Sequence, residues 1–300
     1  MTISALDASA GARATTDGPA SRRNLRHVLR HNRTLVAGSV LILMVVLIAV
    51  IVPLLDSGGA TRIDAESSLQ PPSGQHLLGA DQLGRDLLIR VAQGYRISLA
   101  VSVGSVALAL AIGIPIGLVA AMGPPLLAGF IMRVMDVFMA FPALLLAIVV
   151  VALAGAGTGV LLLAIALIYI PIIARVTRAA ALETSRESFV DAARARGASF
   201  GRLIFRHVTP NSLGPVVVQA SILMAVSILL EAGLSFIGLG VQPPTPSLGL
   251  LLATGHDFMA TSPWVVADPG VAIVVIVLGF TLVGDGLQDW LDPKKRAMAR

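Results

Sequence analysis

A helix can cross a lipid bilayer only where about 20 consecutive residues are predominantly apolar, because hydrocarbon offers no partner to an open backbone group or a lone charge. Windows approaching that length dominate this chain: Leu35 to Leu55, Ile97 to Met122, Pro142 to Ala156, Val160 to Ile173, Leu213 to Leu230 and Gly270 to Val283. The third, fourth and sixth are short by themselves, so the third is extended back towards Phe138 and the fourth is run on past Ala174. The expectation is an all-α polytopic membrane protein with six transmembrane helices. Composition agrees: 56% of residues are hydrophobic and 13% charged, with a mean hydropathy of +0.86, whereas about a quarter of an average soluble domain is charged.

Arginine and lysine placement orients the spans, since cytoplasmic loops close to the membrane retain positive charge. One cluster precedes the first span (Arg13, Arg22, Arg23, Arg26, Arg30, Arg33), another lies between the fourth and fifth (Arg175, Arg178, Arg186, Arg194, Arg196, Arg202, Arg206), and a third follows the sixth (Lys294, Lys295, Arg296, Arg300). Between Ala232 and Pro269 there is neither lysine nor arginine, while the segment from Asp56 to Arg96 mixes Arg62, Arg85, Arg90 and Arg96 with acids. Six spans put the three clusters on one side, so both termini are expected in the cytoplasm. Residues 1–33 then form a basic polar tail with no cleavable leader, and 34–56 an uncleaved first anchor. Residues 57–96 form an extracytoplasmic segment with an interfacial helix, 97–292 the core, and 293–300 a second tail. The basic pI of about 10.6 comes from membrane-flanking loops rather than one folded face. This argues against nucleic acid as a partner and for membrane lipid.

The segment Phe189 to Asn211 reads as two short helices hinged at Gly197. Thr184 with Glu187, and Ser188 with Asp191, have capping-box spacing and predict a helix start near Phe189. Val190, Ala193 and Gly197 share a stripe. Small alanines at 192, 193 and 195 permit close approach to another surface, and Gly197 frees the backbone to end the helix. Ser199 can cap the second helix, Phe200 to Val208, in which Leu203 and Ile204 pack beside Phe200 and Val208; Pro210 is expected to stop it. A basic amphipathic element resting on the membrane interface fits the same periodicity.

The string Asp191-Ala192-Ala193, Gly197, Leu203 and Pro210-Asn211 resembles the coupling loop of ABC importer permeases, with Asp191 in place of the usual Glu. Further segments resemble the C-type permease subunit of the oligopeptide, dipeptide and nickel importers. They are His76 to Asp86 with Arg90, Gly94 to Arg96 and Ser98-Leu99; Arg133, Asp136 and Phe141-Pro142; Leu234 to Gly240 with Pro243, Pro244 and Pro246; and Gly284 to Pro293. Leu248, where tryptophan is common, and Leu88-Ile89, where serine is frequent, depart from the pattern. The resemblance implies a bacterial inner-membrane protein of the type I importer permease fold. It implies a second homologous permease, two ABC ATPase domains and an extracytoplasmic substrate-binding protein as partners, with ATP and Mg held on the ATPase chains and no cofactor on this one. It also implies coupling to the ATPases through Val190, Asp191, Ala192, Ala193, Gly197, Leu203 and Pro210, and import of di- or oligopeptides, with nickel or another small solute as alternatives. Glu231 and Ser235 are candidates for the translocation path or outer gate; a carboxylate beside an apolar span needs a partner or a wet cavity, though a place at the helix end would satisfy it equally.

No phosphate-cradling GxxxxGK[ST] loop is present, and no serine, histidine and acid set stands out, so a non-catalytic subunit is expected. Cysteine is absent, which removes disulfides and thiolate metal sites. His27 and His31 lie four apart but without a carboxylate partner, and no metal site is assigned. Arg85, Asp86, Arg90 and Arg96 read as packing or surface ion pairs ahead of the second span. Trp264 and Trp290 suit opposite membrane interfaces. An ATPase-independent channel or scaffold exposing a basic loop remains the alternative of a different class.

Overall fold

The computed structural model describes residues 32–56 and 60–291; His27, His31 and the last basic cluster lie outside the described residues. Asn32 starts the bundle. Its side-chain oxygen accepts from the Leu35 N–H at 3.1 Å, capping α1 (Arg33–Leu55), and its Nδ2 donates to the Gly286 carbonyl at 2.6 Å. The first span is thereby pinned to the last. The remaining helices are α2 (Leu87–Met122), α3 (Pro125–Ala140), α4 (Ala143–Ala154), α5 (Thr158–Thr184), α6 (Ser188–Ala195), α7 (Phe200–Phe236), α8 (Leu248–Gly255) and α9 (Trp264–Leu291), with 3-10 turns at Ala65–Ser67 and His256–Phe258. No strand occurs among the described residues. Helices α1, α2, α5, α7 and α9 are each long and apolar enough to cross a bilayer, and the α3–α4 pair makes a sixth crossing if counted as one.

That pair corrects the sequence reading of the third span. Pro142 lacks an N–H and disfavours helical geometry at the residue before it, and Phe141 is extended at φ −84°, ψ 135°. The helix therefore does not run back through Phe138; the chain turns by 89° between α3 and α4. The 12 residues of α4 rise only about 18 Å, short of the roughly 30 Å of hydrocarbon. Helix α2, by contrast, has 36 residues and is about 54 Å long. Residues 87–96 are its first turns, and the helical element before them among the described residues is the 3-10 turn Ala65–Ser67.

Lipid tails are as apolar as leucine, so helices in a bilayer associate by close van der Waals packing where small residues let backbones approach. A Cβ on Gly113 would stand 2.8 Å from Ile173 Cγ2, and one on Gly117 2.5 Å from the Ala174 carbonyl oxygen, which shows how tightly α2 lies on α5. Gly38 and Gly286 do the same between α1 and α9. One apolar core joins α2, α4, α5 and α7 through Val101, Ala109, Val151, Leu161, Ile165 and Val216. A second joins α1, α2, α7, α8 and α9 through Val45, Val91, Ile228, Leu248, Ile276 and Phe280. Leu43, Leu47, Val50 and Leu54 of α1 stay exposed, as a face turned to lipid requires.

The bundle has two unlike ends. At one end α6 packs on the last turns of α2 and α5, beside the start of α1 and the end of α9, where Leu291 approaches Gly214. Residues 60–86, the start of α2 and the chain from Ile237 to Pro263 make up the other.

Candidate functional site

Helix α6 spans Ser188–Ala195 with Glu187 at its N-cap and no side-chain cap bond, so neither predicted capping box forms; Ser199 makes no cap bond either. Its C-terminus is built as expected. Gly197 has φ +79°, its N–H donates to the Arg194 carbonyl at 3.0 Å, and the Ala198 N–H donates to the Ala193 carbonyl at 3.2 Å. This paired closure favours a glycine at the left-handed residue. Val190 (0% exposed) and Ala193 (3%) point into a small core with Leu118, Ala181, Leu203 and Val208. Ala193 thus packs on its own chain. Asp191, Ala192, Ala195 and Gly197 are exposed, which takes Gly197 off the buried stripe. Asp191 pairs with Arg194 at 2.9 Å, both mostly in solvent, a contact worth at most about 1 kcal/mol.

The second half of the segment differs from expectation. Phe200 does not pack but is 58% exposed, and the helix it starts does not stop at Pro210. It continues to Phe236 by widening into a π-helical stretch over Leu203–Val208, in which the Thr209 N–H bonds the Ile204 carbonyl. The Asn211 side chain donates to the His207 carbonyl at 2.6 Å, and Pro210 sits exposed at the start of the regular helix. A proline in a helix is tolerated where side chains and local π geometry take up the freed carbonyls. Phe189, in the first turn of α6, and Phe205 (77% exposed), in the π-helical stretch, are both on the surface. A cleft of about 320 Å³ opens beside α6, lined by Glu183, Thr184, Glu187, Phe189, Asn211 and Pro215. Hydrophobic periodicity gave no sign of these exposed aromatics.

At the opposite end Asp81, rather than Asp86, organises the charges ahead of α2. Its Oδ1 accepts from the Leu83 and Arg85 N–H groups at 2.8 and 3.0 Å, and its Oδ2 meets Arg85 Nε at 2.7 Å and Arg90 Nε at 3.2 Å. The Arg90 contact is misaligned for a hydrogen bond and is therefore Coulombic, while Arg90 Nη1 donates to the Ala60 carbonyl at 3.1 Å. The Asp81 and Arg90 side chains are 4% and 3% exposed, so this is a buried pair and not a surface one. Asp86 caps α2 through the Ile89 N–H and meets His76 at 2.9 Å; Arg96 is exposed. Asp64 caps the first 3-10 turn, and hydrogen bonds from the Ser67 hydroxyl and then the Glu66 N–H hold its carboxyl below the usual range.

Glu231 and Ser235 are both 0% exposed, so neither faces an open path in this conformation. The Glu231 carboxyl accepts from Ser98 at 2.7 Å and from Ser235 at 2.9 Å, and the Ser247 hydroxyl lies nearby. Ser98 and Ser247 joined no candidate site in the sequence. Leu248, the departure noted above, is fully buried beside Gly94, whose added Cβ would stand 2.9 Å from it. Among the described residues no group of three or more His, Cys, Asp and Glu side chains is placed to hold a metal.

The family model described as binding-protein-dependent transport system inner membrane component matches residues 113–297. The dipeptide transport system permease protein DppC of Alkalihalophilus pseudofirmus is 40% identical over 269 residues, covering 90% of this chain and 88% of that protein. The di/tripeptide transport system permease protein DppC of Pseudomonas aeruginosa is 39% identical over 275 residues, covering 90% and 91%. Among solved structures, a chain of the inward-facing MetNI methionine ABC transporter superposes with a TM-score of 0.57 at 19% identity, covering 68% of this chain and 96% of that one, a likeness of fold. A match over more than half of the chain, joined to identity near 40% along nine-tenths of it, places this multi-pass protein in the family of binding-protein-dependent transport system inner membrane components.

Proposed function

We propose that this chain is a permease subunit of an ATP-driven, binding-protein-dependent importer of di- or oligopeptides in the bacterial inner membrane. The observation that carries the substrate class is the near-40% identity, over nine-tenths of the chain, to permeases named for dipeptide and di/tripeptide transport. The importer works with a second, homologous permease, and the translocation path lies between the two. ATP and Mg are held by two ATPase domains on other chains, and this subunit binds no cofactor. The α6 end, with its arginines, faces the cytoplasm together with both termini, as the charge asymmetry supports. The lysine- and arginine-free chain from Ala232 to Pro269 faces outward, towards the binding protein.

Coupling follows from the two-sided build of α6. Val190, Ala193 and Leu203 fasten it to the bundle, while Asp191, Ala192, Phe189 and Phe205 remain on the surface to meet the ATPase. Exposed aromatics beside a seated helix suit a partner's groove. When the ATPases close on ATP, the pull on α6 passes through that small core into α2, α5 and α7 and rocks the spans between inward-open and outward-open states. The test is reconstitution with the partner permease, the ATPases and the binding protein in proteoliposomes. Uptake of labelled dipeptide or oligopeptide that needs both ATP and the binding protein is expected. Flux independent of ATP, or no stable ATPase complex, would refute the reading.

A further inference from the structure

Helix α7 is one continuous rod with α6's seat near one end and a buried carboxyl near the other. Leu203 and Val208 contact Val190 and Ala193; Glu231 follows 28 residues after Leu203 in the same helix, about 42 Å along its axis. Around Glu231 the hydroxyls come from separate elements: Ser98 from α2, Ser235 from the next turn of α7, and Ser247 from the N-cap of α8. Ser235 Oγ in turn accepts the Val241 N–H at 3.3 Å, and Ser247 Oγ accepts the Leu250 N–H at 3.2 Å. The chain between them is pressed against α7, since a Cβ on Gly240 would stand 2.1 Å from Ser235 Oγ and one on Gly249 2.2 Å from the Ala232 carbonyl oxygen. No basic side chain forms an ion pair with Glu231 among the described residues. The carboxyl is held by hydroxyl groups alone. A second tie lies one turn further along the rod, where Ser227 meets Ser102 and Ser102 donates to the Met224 carbonyl at 2.9 Å.

We propose that Glu231 is a positioning residue of the transport cycle: through hydrogen bonds rather than charge it fastens the loop Ile237 to Ser247 onto α2 and α7, so that a push on that loop is carried along α7 to α6. This rests on the importer reading for the identity of what pushes, the ligand-loaded binding protein, but the fastening itself does not. Buried polar groups with no partner are costly. Removing the carboxyl therefore takes the acceptor from the Ser98 and Ser235 hydroxyls and frees the loop, while an amide keeps one acceptor oxygen and can donate its N–H to the other hydroxyl, which leaves both contacts in place.

The chain has no cysteine, so Val241→Cys, at a position 1% exposed, is a clean reporter of loop seating in the assembled complex in membrane vesicles. With Glu231 present, a membrane-impermeant maleimide should label it slowly. Glu231→Ala should raise the labelling rate by about tenfold or more and abolish stimulation of ATP hydrolysis by the loaded binding protein, with the ATPases still attached. Glu231→Gln should retain both slow labelling and stimulation. Equal labelling and stimulation in Glu231→Ala and the parent would overturn the proposal, as would a Glu231→Gln complex that behaves like Glu231→Ala. Should Glu231→Ala fail to assemble, Ser98→Ala with Ser235→Ala takes its place and unchanged labelling there has the same force. Absence of stimulation in the parent complex would count against the importer reading instead, and the labelling rates would still decide the fastening.

Discussion

Val190→Ala isolates the seat of α6. Val190 is fully buried against Leu118, Ala181, Ala193, Leu203 and Val208, so the change removes two methyl groups from a closed core and alters no surface a partner touches. Transfer of those groups accounts for about 1.6 kcal/mol at about 0.8 per group. A cavity on the order of 50 Å³ adds about 1 kcal/mol at about 24 cal/mol per Å³. Helix α6 has eight residues and only Val190 and Ala193 buried, and isolated helices of this length are not stable. The loss of roughly 2 to 3 kcal/mol therefore falls on local opening of α6 rather than on the bundle, and shifts its unseated population by about 30- to 150-fold. Hydrogen exchange read by mass spectrometry should show protection lost by residues 188–198 while peptides from α2 and α5 keep theirs. In proteoliposomes, ATP hydrolysis should persist while peptide uptake falls. Unchanged exchange in 188–198, or equal loss across all helices, would refute the reasoning that this small core alone holds α6.

Ala193→Glu should uncouple transport by levering α6 off the same seat, so that uptake falls while ATPase copurification is retained at least in part; wild-type uptake with normal ATPase binding would count against it. Gly197→Ala meets no neighbour within 4 Å, so its cost is purely conformational, about 1 to 2 kcal/mol for a non-glycine residue at positive φ, and exchange should quicken at 195–198 with uptake only mildly reduced. Gly117→Leu should prevent α2 from closing on α5, because even a Cβ would stand 2.5 Å from a backbone oxygen; loss of monodisperse protein on size-exclusion chromatography checks this. Asp81→Asn leaves Arg90 buried without its counter-charge, and about 3 to 5 kcal/mol should be lost, seen as a lowered thermal transition, whereas the exposed Asp191→Asn should leave that transition nearly unchanged.

The hydrophobic windows located the crossing helices because burial in hydrocarbon is a local demand on a run of residues, while the arginine clusters carry an orientation proposal because charge near a membrane is sensed loop by loop. Gly197 was legible for the same local reason, since a backbone that must turn left-handed after Ala195 favours glycine whatever surrounds it. Pro210 was misread because the penalty for a proline depends on whether its freed partners find others, and here a π turn and the Asn211 side chain supply them. The right angle at Phe141-Pro142 fell inside a span extended back towards Phe138 because hydropathy carries no direction.

Periodicity assigned Val190 and Ala193 to one stripe but could not say whether that stripe faced a partner or the chain itself; Leu118 and Ala181, some 70 and 10 residues earlier, answer that only after folding. Asp81 with Arg90 and Glu231 with Ser98 are likewise pairs across elements. Apolar run length, helix-ending glycine and charge asymmetry are written residue by residue, and the sequence alone determines them. Which side chains become buried neighbours depends on how close the backbones come, and at Gly117, Gly240 and Gly249 that is contact distance. Only the tertiary structure decides it, because packing is a property of several helices at once.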